Sequence, residues 1–491
     1  MREETGLEPL LLLTDAKALD YYEKLNGGPL DFESIVIKDP YDVLEEPAPD
    51  VSTAEILARA RRAEKALGLG LYRDYVLQDR HMGRGYLLAG SGHPSSVLAD
   101  LSDQRRIAHA FAEQAEWTAE LFERYPPAMI CSYYGGGGVR QKMMATGARH
   151  RGVPFRALCP ARLGGLVYWA DDEFEGSEAL SGYLAQPGPQ LSEEEIAAET
   201  GGLRSSALAT NAAALSSRAA SRRWSQIVKQ SAWLTARYFY WRFKGYAKAR
   251  RGYKLSDTIR WLVRQRRHYR LLDKIALRDL KDLPDGVKIV YFPLQQEPEA
   301  STLALAPENT NQLATVMELS LTIPADAILM VKEHTWQVGR RPNDFYDRLL
   351  GMHNVRLVHP DLPGLAVCRR ADLVATITSS AGYEAAVLGK PTLFFWSHCP
   401  IASTPHVHKA PRLEGIERVL DLLDDCDGDA KRRREHDGAA LARRLREFCI
   451  DAEEMEFFTR KEPAPREDVA RLAAPLTHEL TTAQTDLRVG A

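Results

Sequence analysis

The chain has 491 residues, too many for a single hydrophobic core and suited to two or three domains. Its 64 Lys and Arg against 67 Asp and Glu leave a formal net charge of -3, which argues against a general nucleic-acid binder. With 45% hydrophobic and 27% charged residues the composition is globular, and no apolar run approaches the roughly 18 residues of a membrane span. Cysteines stand at 131, 159, 368, 399, 426 and 449, with no C-x-x-C pair. They read as reduced thiols, and the acidic M-R-E-E-T-G-L-E-P-L start lacks a signal-like apolar stretch. Both features lead us to expect a cytosolic chain.

Leu10 to Leu13 reads as a first strand, Ala16 to Leu25 as a helix and Ser34 to Ile37 as a second strand. Ser52 with Glu55 forms a capping box for a helix to Leu67. Arg105 to Arg124 is a long amphipathic helix. Ala128 to Tyr133 is apolar and ends in the glycines Gly135 to Gly138, before a helix Val139 to His150 and a strand Pro154 to Leu158. Such alternation implies a parallel sheet with helices on its faces. The four glycines lie where such a sheet places a ligand crevice, and they fit a flexible loop equally well. Arg140 and Lys142 just beyond suit an anion or a solvated helix face. Asp171-Asp172-Glu173 reads as a solvated acidic turn, and the stretch to about Ser217 as a linker with accessory helices.

From Arg218 to Lys281 basic residues cluster and aromatics interleave: Trp224, Trp233, Tyr238, Phe239, Tyr240, Trp241, Phe243 and Tyr246. A helix of this kind can lie on an anionic membrane surface, hold an acidic polymer, or pack its aromatics on the protein. No motif for nucleic acid accompanies it. At Val287 the alternation resumes, with strands at Val287–Phe292, Ala327–Val331, Val355–Val358, Val374–Thr378 and Thr392–Phe395 and helices between them. The last 60 or so residues turn helical and highly charged, as in tails that pack back across a domain boundary.

Three loops follow parallel strands of this second unit and meet along one sheet edge. Pro293–Thr302 carries Gln296, Glu297 and Glu299. Lys332–Arg341 carries Lys332, Glu333, His334 and Arg340. The turn Thr378-Ser379-Ser380-Ala381-Gly382-Tyr383-Glu384 opens a helix whose first N–H groups and dipole favour an anion. Lys332, His334 and Arg340 can neutralise a phosphate leaving group, Glu297 or Glu299 can act as base, and Glu384 can accept from ribose hydroxyls. Each has an ordinary structural alternative: a serine N-cap, a surface ion pair, a packed histidine. Ser397-His398-Cys399-Pro400 with His406 and His408 holds soft ligand types at a spacing that fits no zinc signature, and no metal site is expected.

F-P-L-x-x-x-P-E-A-S-T from Phe292, V-K-E-H from Val331 with a downstream Gly339-Arg340, and T-x-x-A-G-Y-E-A-x-x-L-G-K-P from Thr378 resemble bacterial capsule and surface-polysaccharide biosynthesis proteins. That family is related to the capsule enzymes that transfer Kdo, and its members are similar to glycosyltransferases of GT-B architecture. The resemblance covers about Val287 to Phe395. It departs where Thr335 follows His334 in place of proline, and where Ser379-Ser380 replaces a glycine or threonine pair. His359-Pro360 lies outside the motif.

The resemblance implies an α/β fold of two Rossmann-like domains with a helical basic linker between them. The expected divisions are 1–180, 181–285, 286–430 and a charged tail 431–491. It implies a nucleotide-sugar donor, CMP-linked or another, in the second domain, a glycan or glycolipid acceptor in the first, and no cofactor. Carried over by position, Gln296, Glu297 and Glu299 fall in the first motif, Lys332, Glu333 and His334 in the second, and Ser379, Ser380, Gly382 and Glu384 in the third. The basic linker would hold the enzyme at the inner membrane face. Two other classes share the architecture: a nucleotide-sugar epimerase or hydrolase, and a non-catalytic assembly or export factor.

Overall fold

The computed structural model describes the chain except residues 1, 47–48, 68–70, 83–92, 134–137, 204–222, 247–248, 250, 284–285, 411–422, 424–427, 454–461, 463 and 490–491. Gly135 to Gly137 of the glycine loop and part of the basic stretch lie outside the described residues. The chain is an α/β protein of two Rossmann-like units joined by paired helices.

In the first unit β1 (Leu10–Leu13) and β2 (Ser34–Ile37) pair in parallel as a small sheet of their own. Between them α1 (Ala16–Asn26) is capped by Asp15, which accepts from the Ala18 N–H at 2.8 Å. The chain leaves α1 through Gly27 at φ 75, a left-handed position that favours glycine. The Ser52–Glu55 capping box forms as expected and starts α2 (Thr53–Leu67). The long helix α3 (Gln104–Arg124) buries Phe111, Leu121 and Phe122.

Next come β3 (Ile130–Tyr133), α4 (Val139–His150), β4 (Phe155–Pro160) and β5 (Leu166–Ala170). The expectation of an all-parallel sheet is corrected here. β3 and β4 are parallel, but β5 returns antiparallel to β4. Only Ala161 to Gly165 separate β4 from β5. A parallel connection needs a crossover of a dozen residues or more, so so short a link closes a hairpin. Glu173 of the acidic turn is not solvated as expected. Glu173 is buried and pairs with Lys142 at 3.0 Å and with Arg149. Arg140 donates to the Leu13 carbonyl at 2.7 Å and stacks on Trp117. These cations therefore hold the fold together rather than an anionic ligand.

The helices α5 (Glu178–Ala185) and α6 (Glu193–Gly201) precede the basic pair α7 (Trp224–Phe243) and α8 (Leu255–Ile275). Arg251, between α7 and α8, reaches back to Asp39, to Asp42 at 2.7 Å and to Glu45 at 2.8 Å, fastening the pair to the first unit.

The second unit is one six-stranded parallel sheet. Its strands are β6 (Lys288–Pro293), β7 (Ala327–Lys332), β8 (Val355–Val358), β9 (Leu373–Thr376), β10 (Thr392–Phe394) and β11 (Val407–Lys409). The spatial order β8-β7-β6-β9-β10-β11 is the doubly wound 3-2-1-4-5-6 arrangement. β6 is buried on both faces, as a strand covered by helices on both sides must be, which explains its unbroken K-I-V-Y-F-P run. The covering helices are α9 (Gln312–Thr322), α10 (Phe345–Leu350), α11 (Gly364–Arg370) and α12 (Ser380–Val387).

The tail crosses back. α13 (Gly428–Phe448) packs on α12 and α6, β12 (Ile450–Asp451) adds antiparallel to β5, and α14 (Arg466–Val489) joins the first unit. There the Trp169 Nε1–H donates to the Leu472 carbonyl at 2.9 Å. One core runs through both units, from Phe122 and Tyr168 to Phe394, Trp396 and Leu441. α13 can approach α12 because residue 438 is glycine: a Cβ there would lie 2.5 Å from the Ala386 and Val387 carbonyl oxygens. Backbone cannot yield as a side chain can. Gly438→Ala should therefore cost about 1–3 kcal/mol, read as a lowered melting temperature of the full chain.

Candidate functional site: a cationic cleft at the sheet switch point

Strand order reverses between β6 and β9, and the crevice of an open α/β sheet lies beyond the carboxyl ends at such a point. The loops leaving β6 and β9 meet there. Gln295 is buried after β6, with its side-chain amide 2.9 Å from Thr378 Oγ1 after β9. With the amide oxygen turned inward it accepts from the Thr378 N–H at 2.6 Å and the Ser379 N–H at 2.9 Å, and the amide nitrogen donates to Thr378 Oγ1. Thr378 also donates to the Ser301 carbonyl at 3.1 Å. Thr378 thus stitches the two loops. Ser379 is the N-cap of α12, its Oγ accepting from the Ala381 N–H at 3.2 Å. Ser380 follows half-buried in the first turn. A Cβ on Gly382 would sit 2.4 Å from Phe394 Cζ and 2.7 Å from Thr376 Cγ2, so this glycine seats α12 on the sheet. Glu384 is buried, and its charge is felt by the Cys368 thiol and the Tyr291 phenol. It faces α11 and the sheet.

Behind the rim lies a buried ionic network. Arg341 is fully enclosed between Glu297, at 2.9 Å, and Glu333, at 3.0 Å. Glu333 also accepts from the Tyr346 hydroxyl at 2.9 Å and the His334 N–H at 2.7 Å. Glu297 accepts from the Gln312 amide, and its own N–H donates to Gln337 Oε1 at 2.9 Å. Burial pushes the Glu297 carboxyl up, with Arg341 and Gln312 working against that shift. Glu297 and Glu333 were expected at the substrate. Their carboxylates instead point into the protein, where they fix the loops after β6 and β7 to each other.

Lys332 also departs from expectation. Its ammonium donates to the Pro360 carbonyl at 3.2 Å, and its charge acts on Cys368 of α11. Successive side chains on a strand point to opposite faces, so Lys332 and Glu333 part company at the end of β7. His334 is half-buried and opens the turn Thr335–Gln337. Gln296 is half-buried beside Glu297. His359 is held between Asp273, at 3.1 Å, and the Asp361 N–H, at 3.2 Å. The soft side chains are used apart: His398 contacts Asp172 at 3.0 Å, and His406 the Ala386 carbonyl at 2.7 Å. Among the described residues no cluster could hold a metal ion.

Glu299 is the carboxylate of the β6 loop that stays exposed. Solvent reaches it, yet protein surrounds it closely, and it accepts from Ser301 Oγ at 2.9 Å. Burial pushes its carboxyl up; Ser301, Arg162 and Arg80 oppose the shift and Glu175 adds to it. Both arginines come from the first unit, and neither was expected. Arg162 sits in the β4–β5 hairpin at φ 59, pairs with Glu175, stacks 5.1 Å over Trp396 and donates to the Thr378 carbonyl at 2.7 Å. It therefore pins the hairpin to the crevice turn. Arg80 is exposed and acts on Glu299, Arg340, His93 and Tyr253. Arg340 was expected at the site and does join this group, lying 5.0 Å over the Trp261 ring and close to Tyr253. His93 packs 4.7 Å from Tyr253 and is pushed down to about 3 by burial and by Arg340. Burial and Arg340 thus favour the neutral form of His93. A strand-end arginine in C-P-A-R-L-G-G was the signal for Arg162; for Arg80 the sequence held none.

No family profile matches the chain, and no curated protein matches it. Among solved structures it is similar to Thermosulfurimonas dismutans KpsC, a beta Kdo 2,4 transferase, with 16% identity over 63% of this chain and 78% of that one, at a TM-score of 0.29. It is also similar to the wall teichoic acid polymerase TagF, with 14% identity over 39% of this chain and 46% of that one, TM-score 0.21. S. aureus MnaA with UDP matches at 10% identity over 93% of this chain and 99% of that one, TM-score 0.25. At such scores the likeness carries no argument about the site, whose geometry stands on its own residues.

Removing the central guanidinium tests the network. Arg341→Met would leave two buried carboxylates without their cation and should cost about 3–5 kcal/mol. Adding Glu297→Gln and Glu333→Gln should recover much of that loss in thermal melting, because the uncompensated charges go with them.

Proposed function

We propose that this chain is a glycosyltransferase that uses a nucleotide-activated sugar. The donor would lie at the β6–β9 switch point, and a glycan or glycolipid acceptor would enter from the first unit. The observation that carries this reading is the meeting of the β6 and β9 loops at the switch point, where Thr378 joins Gln295 and the Ser301 carbonyl and Arg162 of the first unit donates to the Thr378 carbonyl at 2.7 Å. In the reaction an acceptor hydroxyl attacks the anomeric carbon, the bond from that carbon to the phosphate oxygen breaks, and the hydroxyl proton must leave. Glu299 is the base for that proton. Arg80 and Arg340 face the negative charge that gathers on the departing nucleotide, and Arg162 holds the crevice turn in place. The cations are the chain's own, so the reading calls for no cofactor. The motif resemblance supports a surface polysaccharide, such as a capsule, as the product, and makes a CMP-linked sugar the first donor to try. Activity at the inner face of the membrane belongs to the same reading.

Glu299→Gln should lower turnover about 10²–10⁴-fold and leave nucleotide affinity in place. The wild-type rate should rise with pH through a limb above the ordinary carboxylate range, and the variant should lack that limb. The raised carboxyl adds stability that is complete below the ordinary carboxylate pKa and is lost as pH rises through the folded value. Glu299→Gln should therefore melt no lower than wild type at neutral pH. Full turnover in the variant, or a donor epimerised or hydrolysed without any acceptor, would contradict the proposal.

A further inference from the structure

The helix α7 has two apolar faces, one covered by the protein and one largely open, where Trp224 meets Arg266 of α8 at 5.1 Å and Tyr240 meets Tyr246 at 6.1 Å. Ile227, Leu234, Tyr238 and Trp241 face inward, toward α8. Leu234, Tyr238 and Trp241 line a hollow of about 310 Å³ whose other walls include His81 and Tyr253. The opposite face stands in water. Trp224 is 55% exposed, Val228 65%, Trp233 57%, Phe239 60%, Tyr240 52% and Phe243 86%. At 100° per residue these six fall within one half of the helix circumference. Water-facing aromatics at this density on one helix mark a docking surface.

The charge around this face selects its partner. From Arg218 to Ser256 there are 11 Lys and Arg and no Asp or Glu. Lys229, Arg242 and Lys244 are exposed beside the aromatic face, and Arg237 lies 4.2 Å and 4.5 Å from the Trp233 and Trp241 rings. A second copy of the chain would set like charge against like. A nucleic acid would satisfy the cations and leave Val228 and Phe243 in water. An anionic bilayer takes both, with aromatic rings at the headgroup boundary and long basic side chains reaching the phosphates. Among the described residues no helix is long and apolar enough to cross a membrane. At 20 residues α7 is about 30 Å long, which suits lying in the surface plane.

We infer that the outer face of α7 docks the protein on an anionic lipid surface, with that helix in the plane of the headgroups. The inner face of the same helix borders Tyr253, neighbour of Arg80 and Arg340, so docking brings one side of the cleft close to the bilayer. The inference does not depend on the chemistry of Glu299.

Flotation of the full chain with phosphatidylcholine vesicles, with and without about 30% phosphatidylglycerol, tests it. The anionic vesicles should carry about tenfold more protein, and added salt should reduce that excess. Trp233→Ser with Phe239→Ser and Phe243→Ser should lose most of the binding, as should Lys229→Gln with Arg242→Gln and Lys244→Gln. All six side chains are exposed, so both variants should melt as wild type does. Equal flotation with and without anionic lipid would overturn the inference, and the wild-type comparison decides that without any variant. Undiminished binding by the aromatic variant would overturn it too, as would wild-type dimers that this variant converts to monomers without vesicles binding either form.

Discussion

Arg341 is the side chain on which the rim of the second unit depends. One buried guanidinium satisfies two buried carboxylates from two loops, and these loops leave the neighbouring strands β6 and β7. Charges so enclosed are tolerable only when paired and hydrogen-bonded, so the loops have little choice of conformation. The network removes Glu297 and Glu333 from the cleft. It also anchors the loop that carries Glu299. Glu297, buried in the network, and Glu299, exposed, are two positions apart in one loop.

A second constraint joins the units. Arg162 reaches from the β4–β5 hairpin to the Thr378 carbonyl at the turn that opens α12. Its left-handed backbone is costly for a residue with a Cβ, and the Glu175 pair, the Trp396 ring and the Thr378 carbonyl together hold it. The tail reinforces the same junction, with α13 on α12 and β12 on β5. The two units thus share a core, and the cleft lies between walls that are fixed to each other.

Much of the second unit was legible in the sequence. β6, β7, β9 and β10 are largely apolar runs ended by turn residues, and their loops placed Thr378, Ser379 and Glu299 at one edge, whereas β11, V-H-K, carried no such signal. The first unit was less so. L-V-Y-W-A after R-L-G-G looks like any apolar strand, and nothing in its pattern says that it returns antiparallel. β12 is two residues long and carries no signal. Within the site, Lys332, His334 and Arg340 read as one group of cations, whereas the Lys332 ammonium turns to the Pro360 carbonyl. Arg80 and Arg162 stand more than a hundred residues before Glu299, and only the folded chain sets them opposite it. The capping box and the α7 aromatics, being local, were readable from spacing alone.

The central claim is that arginines on both walls of the cleft, around Glu299, hold the phosphate of a nucleotide. Titration calorimetry of CMP, UDP and GDP into the full chain, and into Arg340→Gln, measures it directly. One of the three nucleotides should bind to wild type, and loss of the Arg340 charge should weaken that binding by about tenfold or more. Binding of none of them, or equal affinity in Arg340→Gln, would contradict the claim.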